Sequence, residues 1–242
     1  MQAIDDIVTT VVGWVPPWVF QESGLLIAVA VLVAAMNVPV LRWPLYPLRL
    51  LETWAHELSH GLMALAVGGR VRKLQIFRDG SGLASTTSPN ERWRRVLVFS
   101  AGYPGAALLG ATLLALRHVD SPGQVLSILG GAMVVSIVIW VRNPFGVVSL
   151  GLLGAALVAA GNQLSVAGAR TLLALVGATV SLNALTAIRQ LYGSRLGTVG
   201  GQPYWSDAAN VSRLVGLPAW FWATGWLLLS VALLKLGLEN PL

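Results

Sequence analysis

The run Leu50-Leu51-Glu52-Thr53-Trp54-Ala55-His56-Glu57-Leu58-Ser59-His60-Gly61-Leu62-Met63-Ala64 places four ionisable side chains, Glu52, His56, Glu57 and His60, in a stretch otherwise apolar enough for a helix inside a bilayer. An ionisable residue at the centre of a membrane helix costs on the order of 2.5–3.5 kcal/mol, so a cluster of them needs a compensating role. The H-E-x-x-H spacing supplies one. His56 and His60 are one helical turn apart, so both imidazoles project from one face and can hold Zn²⁺. Glu57, rotated by about 100°, stays beside the metal and can take a proton from metal-bound water and return it to a leaving amine. A chance string of this kind is the bland alternative. Against it, the chain has three histidines and the motif takes two of them.

Working outward, the flanking sequence is that of an all-α polytopic membrane protein. Hydrophobic residues are 55% and charged residues 11% of the 242, with a mean hydropathy of +0.71, which excludes soluble, disordered and fibrous classes. Apolar runs near bilayer length fall at 25–41, 47–67, 96–116, 124–141, 145–160, 171–188 and 217–236, giving six to seven transmembrane helices, with 145–160 short for a full crossing. Residues 1–22 have acidic but no basic side chains and read as an interfacial lead-in rather than a signal peptide. No linker divides the chain, so residues 1–242 are expected to form a single membrane-embedded domain. Two longer polar stretches, 68–95 and 189–216, break the pattern, and the first alternates around Asp79-Gly80, which predicts a small membrane-associated β-hairpin after the H-E-x-x-H helix.

The absence of cysteine removes disulfides, thiolate ligands and cysteine nucleophiles. The net charge of +6 comes from bases scattered through short connections, and the tryptophans sit mostly near span ends, as interfacial anchors do. Nucleic-acid binding, which needs a basic face with aromatic platforms, is set aside. Alternating the loops across seven spans puts Arg70, Arg72, Lys73, Arg78, Arg92, Arg94, Arg95, Arg142, Arg189, Arg195 and Arg213 on one side, against Arg42, Arg49, Arg117, Arg170 and Lys235 on the other. The positive-inside rule then predicts a cytoplasmic N-terminus, an external C-terminus and both long stretches in the cytosol, with the chain in the cytoplasmic membrane.

A zinc hydrolase takes three protein ligands and leaves one position for water. His118, the remaining histidine, falls on the predicted opposite side, and residue 66, where a metzincin needs histidine, is Ala66. Among the carboxylates, Asp207 opens a helical-looking segment after a polar stretch long enough to fold back to the motif; its other reading is a helix-capping aspartate. Asp79 reads as a turn residue. Glu52, one turn before His56, either hydrogen-bonds a ligand histidine or faces a hydrated cavity. Asn183 and Asn143 are candidate substrate-binding donors for an oxyanion, with interhelical hydrogen bonds as their structural alternative. The small-residue runs at Gly102–Gly110 and Gly151–Gly154 are read as helix-packing surfaces.

His56-Glu57-Leu58-Ser59-His60-Gly61, followed by Gly68-Gly69-Arg70-Val71, Asp79-Gly80-Ser81-Gly82 and Ser100-Ala101-Gly102-Tyr103-Pro104-Gly105, resembles the B-like branch of the site-2-protease family of intramembrane zinc metallopeptidases. Arg142-Asn143-Pro144-Phe145-Gly146 and Ser206-Asp207-Ala208 are similar to later parts of that branch, so the resemblance spans roughly 50–230. It implies His56, His60 and a downstream aspartate as zinc ligands, Glu57 as catalytic base, and a membrane-anchored protein as substrate, paired with an edge strand within 70–87. The Asn-x-x-Pro-x-x-x-x-Asp-Gly string that carries the third ligand in better-known members is absent, leaving that ligand open between Asp207, another carboxylate and a two-histidine site.

The function expected is therefore zinc-dependent endopeptidase cleavage of membrane-anchored proteins in the lipid bilayer. A catalytically silent scaffold that keeps the metal site to bind a partner membrane protein is the first alternative, and a transporter built on broken helices at Pro39 and Pro144 the second. An intact Glu57 favours the enzyme.

Overall fold

The computed structural model describes residues 42–192 and 196–239. The expected lead-in at 1–22 and first span at 25–41 lie outside them. The H-E-x-x-H stretch is helical throughout, within α1 (Arg42–Ala66). After it comes an antiparallel hairpin of β1 (Arg70–Ile76) and β2 (Gly82–Thr87), with Leu74 opposite Ala84. Its turn has Gly80 at φ 80°, a conformation a side chain resists. The Asp79 carboxylate accepts hydrogen bonds from the Ser81 amide at 2.9 Å and hydroxyl at 2.6 Å, as a turn residue does.

The outer edge of β1 is covered by the chain after the fourth helix. Leu74 donates its amide to the Trp140 carbonyl and accepts from the Arg142 amide, at 2.8 and 3.1 Å. Asn143 continues this docking, its side chain accepting from the Ile76 amide at 3.1 Å and donating to the Ile76 carbonyl at 2.6 Å. β2 is therefore left as the open edge of the sheet, facing α1.

Next come α2 (Arg92–Ser100) and α3 (Gly102–Ala115), ended by a 3-10 turn at Leu116–His118. α4 (Pro122–Ile139) and α5 (Pro144–Gln163) each start on a proline, whose missing N–H is harmless in a first turn. α6 (Val166–Gln190) is capped by Ser165. A second hairpin, β3 (Leu196–Val199) and β4 (Gln202–Trp205), precedes α7 (Asp207–Val215) and α8 (Ala219–Glu239). This hairpin, inside the stretch 189–216, was not expected.

Four helices, α4, α5, α6 and α8, are long and apolar enough to cross a membrane, and α2 with α3 makes a fifth if that pair, bent by 43°, is one span. The chain is thus a multi-pass helical membrane protein, but the described residues do not yield the expected six to seven spans. The expected span at 47–67 coincides with α1, whose polar side chains keep it out of the apolar set. The span at 145–160 proves longer than expected, because Pro144 starts α5 at the beginning of the run and the helix continues to Gln163.

Small residues set the closest helix crossings. A methyl group on Gly110 of α3 would lie 2.8 Å from the Gly177 carbonyl of α6, and one on Gly177 would lie 2.9 Å from the Gly110 carbonyl. Gly130 of α4 and Gly154 of α5 repeat this contact at 2.4 and 2.9 Å. Close backbone approach of this kind lets helices gain dispersion contacts where lipid offers no hydrophobic drive. At the C-terminal end of α3, fully buried Arg117 donates to the carbonyls of Leu114 at 2.7 Å and Gly237 at 3.0 Å, tying α3 to the end of α8. We expect Gly177→Leu to destabilise the protein in detergent by about 1–3 kcal/mol through overpacking. Gly131→Leu, whose added side chain meets open space, serves as the control and is expected to leave the melting temperature unchanged.

Candidate metal centre

The helical spacing on α1 brings the two motif imidazoles together, with Nε2 of His60 3.0 Å from Nε2 of His56. Oδ2 of Asp207 completes a triangle, 3.1 Å from the first nitrogen and 3.2 Å from the second. Ligands bound tetrahedrally at about 2.0–2.1 Å stand about 3.3 Å apart, close to these separations. His60 Nδ1 donates to the Val98 carbonyl at 2.6 Å, which places its proton there and leaves Nε2 as a lone pair aimed at the triangle. Nδ1 of His56 is buried and has no hydrogen-bond partner among the described residues. Three acceptor atoms converging in this way need a shared cation, and the histidine-histidine-carboxylate set suits zinc. Among the described residues this group of three is close enough to hold a metal ion.

Asp207 is brought to α1 by apolar packing around α7. Ala208 and Val211 are buried with Ile188 of α6 and with Ala223 and Trp226 of α8, while Val96 and Phe99 of α2 pack against this cluster. The Ser206 hydroxyl caps α7 by accepting from the Ala209 amide at 3.3 Å, and Gly216 at φ 86° ends it. Capping thus falls to Ser206, and Asp207 in the first turn is turned toward the histidines.

The bend between α2 and α3 gives the site its other wall. Buried Gly102 stands where a methyl group would be 2.5 Å from Nε2 of both histidines, and one on Gly105 would be 2.1 Å from Ser59 Oγ. The Tyr103 ring meets His56 edge to face at 4.5 Å and stacks on Trp226 at 5.7 Å. Glu57 is buried, has the Ala84 amide of β2 nearby, and lines the same cavity of about 1050 Å³ as His56, His60 and Asp207. A methyl group on Gly82 would lie 2.5 Å from Glu57 Cγ, so β2 approaches the carboxylate with no side chain between them.

Glu52 and Asn183 also line the cavity; Glu52 faces it and is not hydrogen-bonded to His56. Asn143 does not line it: its amide is spent on the Ile76 backbone, and the role of oxyanion donor is withdrawn for that residue. Asp79 stays at the hairpin turn. Three contributors were missed by sequence reasoning. The Val98 carbonyl has no side-chain signature, and the closeness of Gly82 and Gly102 to the site is set by tertiary packing. The β3–β4 hairpin did have a signal, Gly200-Gly201 between two short runs of β-forming residues.

The family model described as Peptidase M50B-like matches residues 25–237. The chain belongs to that family, the B-like branch of the site-2 proteases, and this places it among the membrane metallopeptidases. Neither a curated protein nor a solved structure matches it. Gly102→Ala is expected to push the ligand atoms apart and lower the zinc bound per chain at least about fivefold, read by elemental mass spectrometry on protein whose helical circular dichroism is unchanged. Wild-type zinc content in that variant would contradict the assigned metal position.

Proposed function

We propose that this chain is a zinc-dependent intramembrane endopeptidase that hydrolyses a peptide bond of a membrane-anchored protein. The observation that carries the reading is the buried Glu57 carboxylate on the wall of the cavity that the His56-His60-Asp207 triangle also lines. A metal site kept only for structure, as in a silent scaffold, has no use for a carboxylate poised this way.

His56, His60 and Asp207 would hold the ion. Zinc, when bound, supplies a Lewis acid that polarises the scissile carbonyl and lowers the pKa of water. Glu57 takes a proton from the attacking water and delivers it to the amide nitrogen as the C–N bond breaks, so the products leave as a carboxylate and an amine. Asn183, on the cavity wall, is the side chain we assign to donate to the developing oxyanion. His60 is kept in its ligating tautomer by the Val98 carbonyl.

The bilayer imposes a further requirement. A peptide bond inside a lipid-buried helix is desolvated and internally hydrogen-bonded, so the substrate must unwind before water can attack it. The open edge of β2 can take the unwound segment as an added strand. We further infer that the basic connections around β1 and α2 face the cytosol, which would put the site near the cytoplasmic side of the cytoplasmic membrane.

With a single-span reporter protein co-reconstituted in lipid vesicles, Glu57→Gln is expected to cut the cleavage rate about 10²–10⁴-fold, the usual contribution of a general base, while keeping wild-type zinc content. Undiminished cleavage by Glu57→Gln would sink the mechanism. Metal-dependent flux of a solute without any cleavage would favour the transporter.

A further inference from the structure

The β3–β4 hairpin lies against the turn of the first hairpin. The Gly200 amide donates to Ser81 Oγ at 3.0 Å, and Ser81 in turn donates to the Asp79 carboxylate at 2.6 Å. The Phe77 ring fills the space above Gly200, where a methyl group would be 2.9 Å from it. The two turns are clasped, yet the strands remain two separate sheets, and β2 and β3 both line the cavity that holds Glu57 and Asp207.

The registers show which backbone groups look into that cavity. In the first hairpin Leu74, opposite Ala84, turns its backbone outward to Trp140 and Arg142, so Ala84 likewise points away from β1. Gly82, two residues before it, shares that direction. In the second hairpin Gly200 and Gly201 both have positive φ, 57° and 79°, as a two-residue type I′ turn requires. Val199 and Gln202 are then the hydrogen-bonded closing pair, and the next pair, Thr198 and Pro203, points its backbone groups outward. On β4 that outward position is a proline with no N–H to give, which blunts this edge for pairing. On β3 it is Thr198, whose N–H and carbonyl are both available for a strand.

Resting on the peptidase reading, we propose that β3 is the second wall of the substrate cleft. An unwound substrate segment is held as a strand between β2 and β3, hydrogen-bonded on both edges, with Glu57 on one side and Asp207, two residues beyond β4, on the other. The Ser81 and Phe77 contacts with Gly200 fix the turn of the second hairpin against that of the first. The occupant is extended peptide of any sequence able to form a strand, because both walls offer main-chain groups.

The test uses the full chain with Glu57→Gln, so that bound peptide is not consumed, and a photoreactive benzophenone-bearing decapeptide amide of Val, Leu and Ala with no metal-binding group. Adducts are mapped by mass spectrometry, and zinc is measured on the same samples. Adducts are expected on both 82–86 and 196–199. Adding Thr198→Pro, which removes one outward N–H and none from the β3–β4 ladder, is expected to lower adduct yield about fivefold, the worth of one hydrogen bond; Thr198→Ala, which keeps the N–H, leaves it unchanged. Adducts confined to 82–86 in the parent, or a yield indifferent to Thr198→Pro, would overturn the second wall. Missing zinc with the adduct pattern intact would count against the metal reading and leave the cleft standing.

Discussion

Two imidazole nitrogens and a carboxylate oxygen lie 3.0–3.2 Å from one another in a site assembled on a polar helix of a membrane protein, and the rest of the structure is arranged to make that convergence tolerable. Lone pairs facing each other repel unless a cation sits among them, and burial strengthens the repulsion. α1 is too polar to be stable against lipid on every face, so the first hairpin, α2, α3 and α6 cover it. The bend at Ala101 and the absence of a side chain at Gly102 let α3 come in from one side. The packing of Ala208 and Val211 against Trp226 brings Asp207 in from the other.

Chemistry and substrate handling meet on β2. With its outer edge turned away from β1, this strand presents main-chain groups to the cavity beside the Glu57 carboxylate. The strand proposed to take an unwound peptide therefore lies directly against the carboxylate proposed as the base. Gly82 keeps the gap between strand and base narrow, because any side chain there would strike Glu57.

How much of this was legible in the sequence follows from how local each determinant is. The H-E-x-x-H face is fixed by spacing within one helix, so His56, Glu57 and His60 could be read directly. The first hairpin announced itself through Asp79-Gly80. Asp207 could be nominated but not placed, since its position depends on apolar contacts among α2, α6, α7 and α8 that no local pattern encodes. Asn143 misled because an amide between two apolar runs reads alike whether it serves a substrate or a neighbouring strand. Among the described residues the span count is not confirmed at α1 and at the α2–α3 bend, where hydropathy averages over a polar helix and a broken one.

The central claim is that residues 151 positions apart, His56 and Asp207, hold one metal ion together. The direct measurement is zinc per chain in detergent-purified wild type beside Asp207→Ala, both dialysed against a weak chelator. The account predicts close to one zinc in the wild type and a sharp loss in the variant. Equal zinc in both would contradict it and move the third ligand elsewhere.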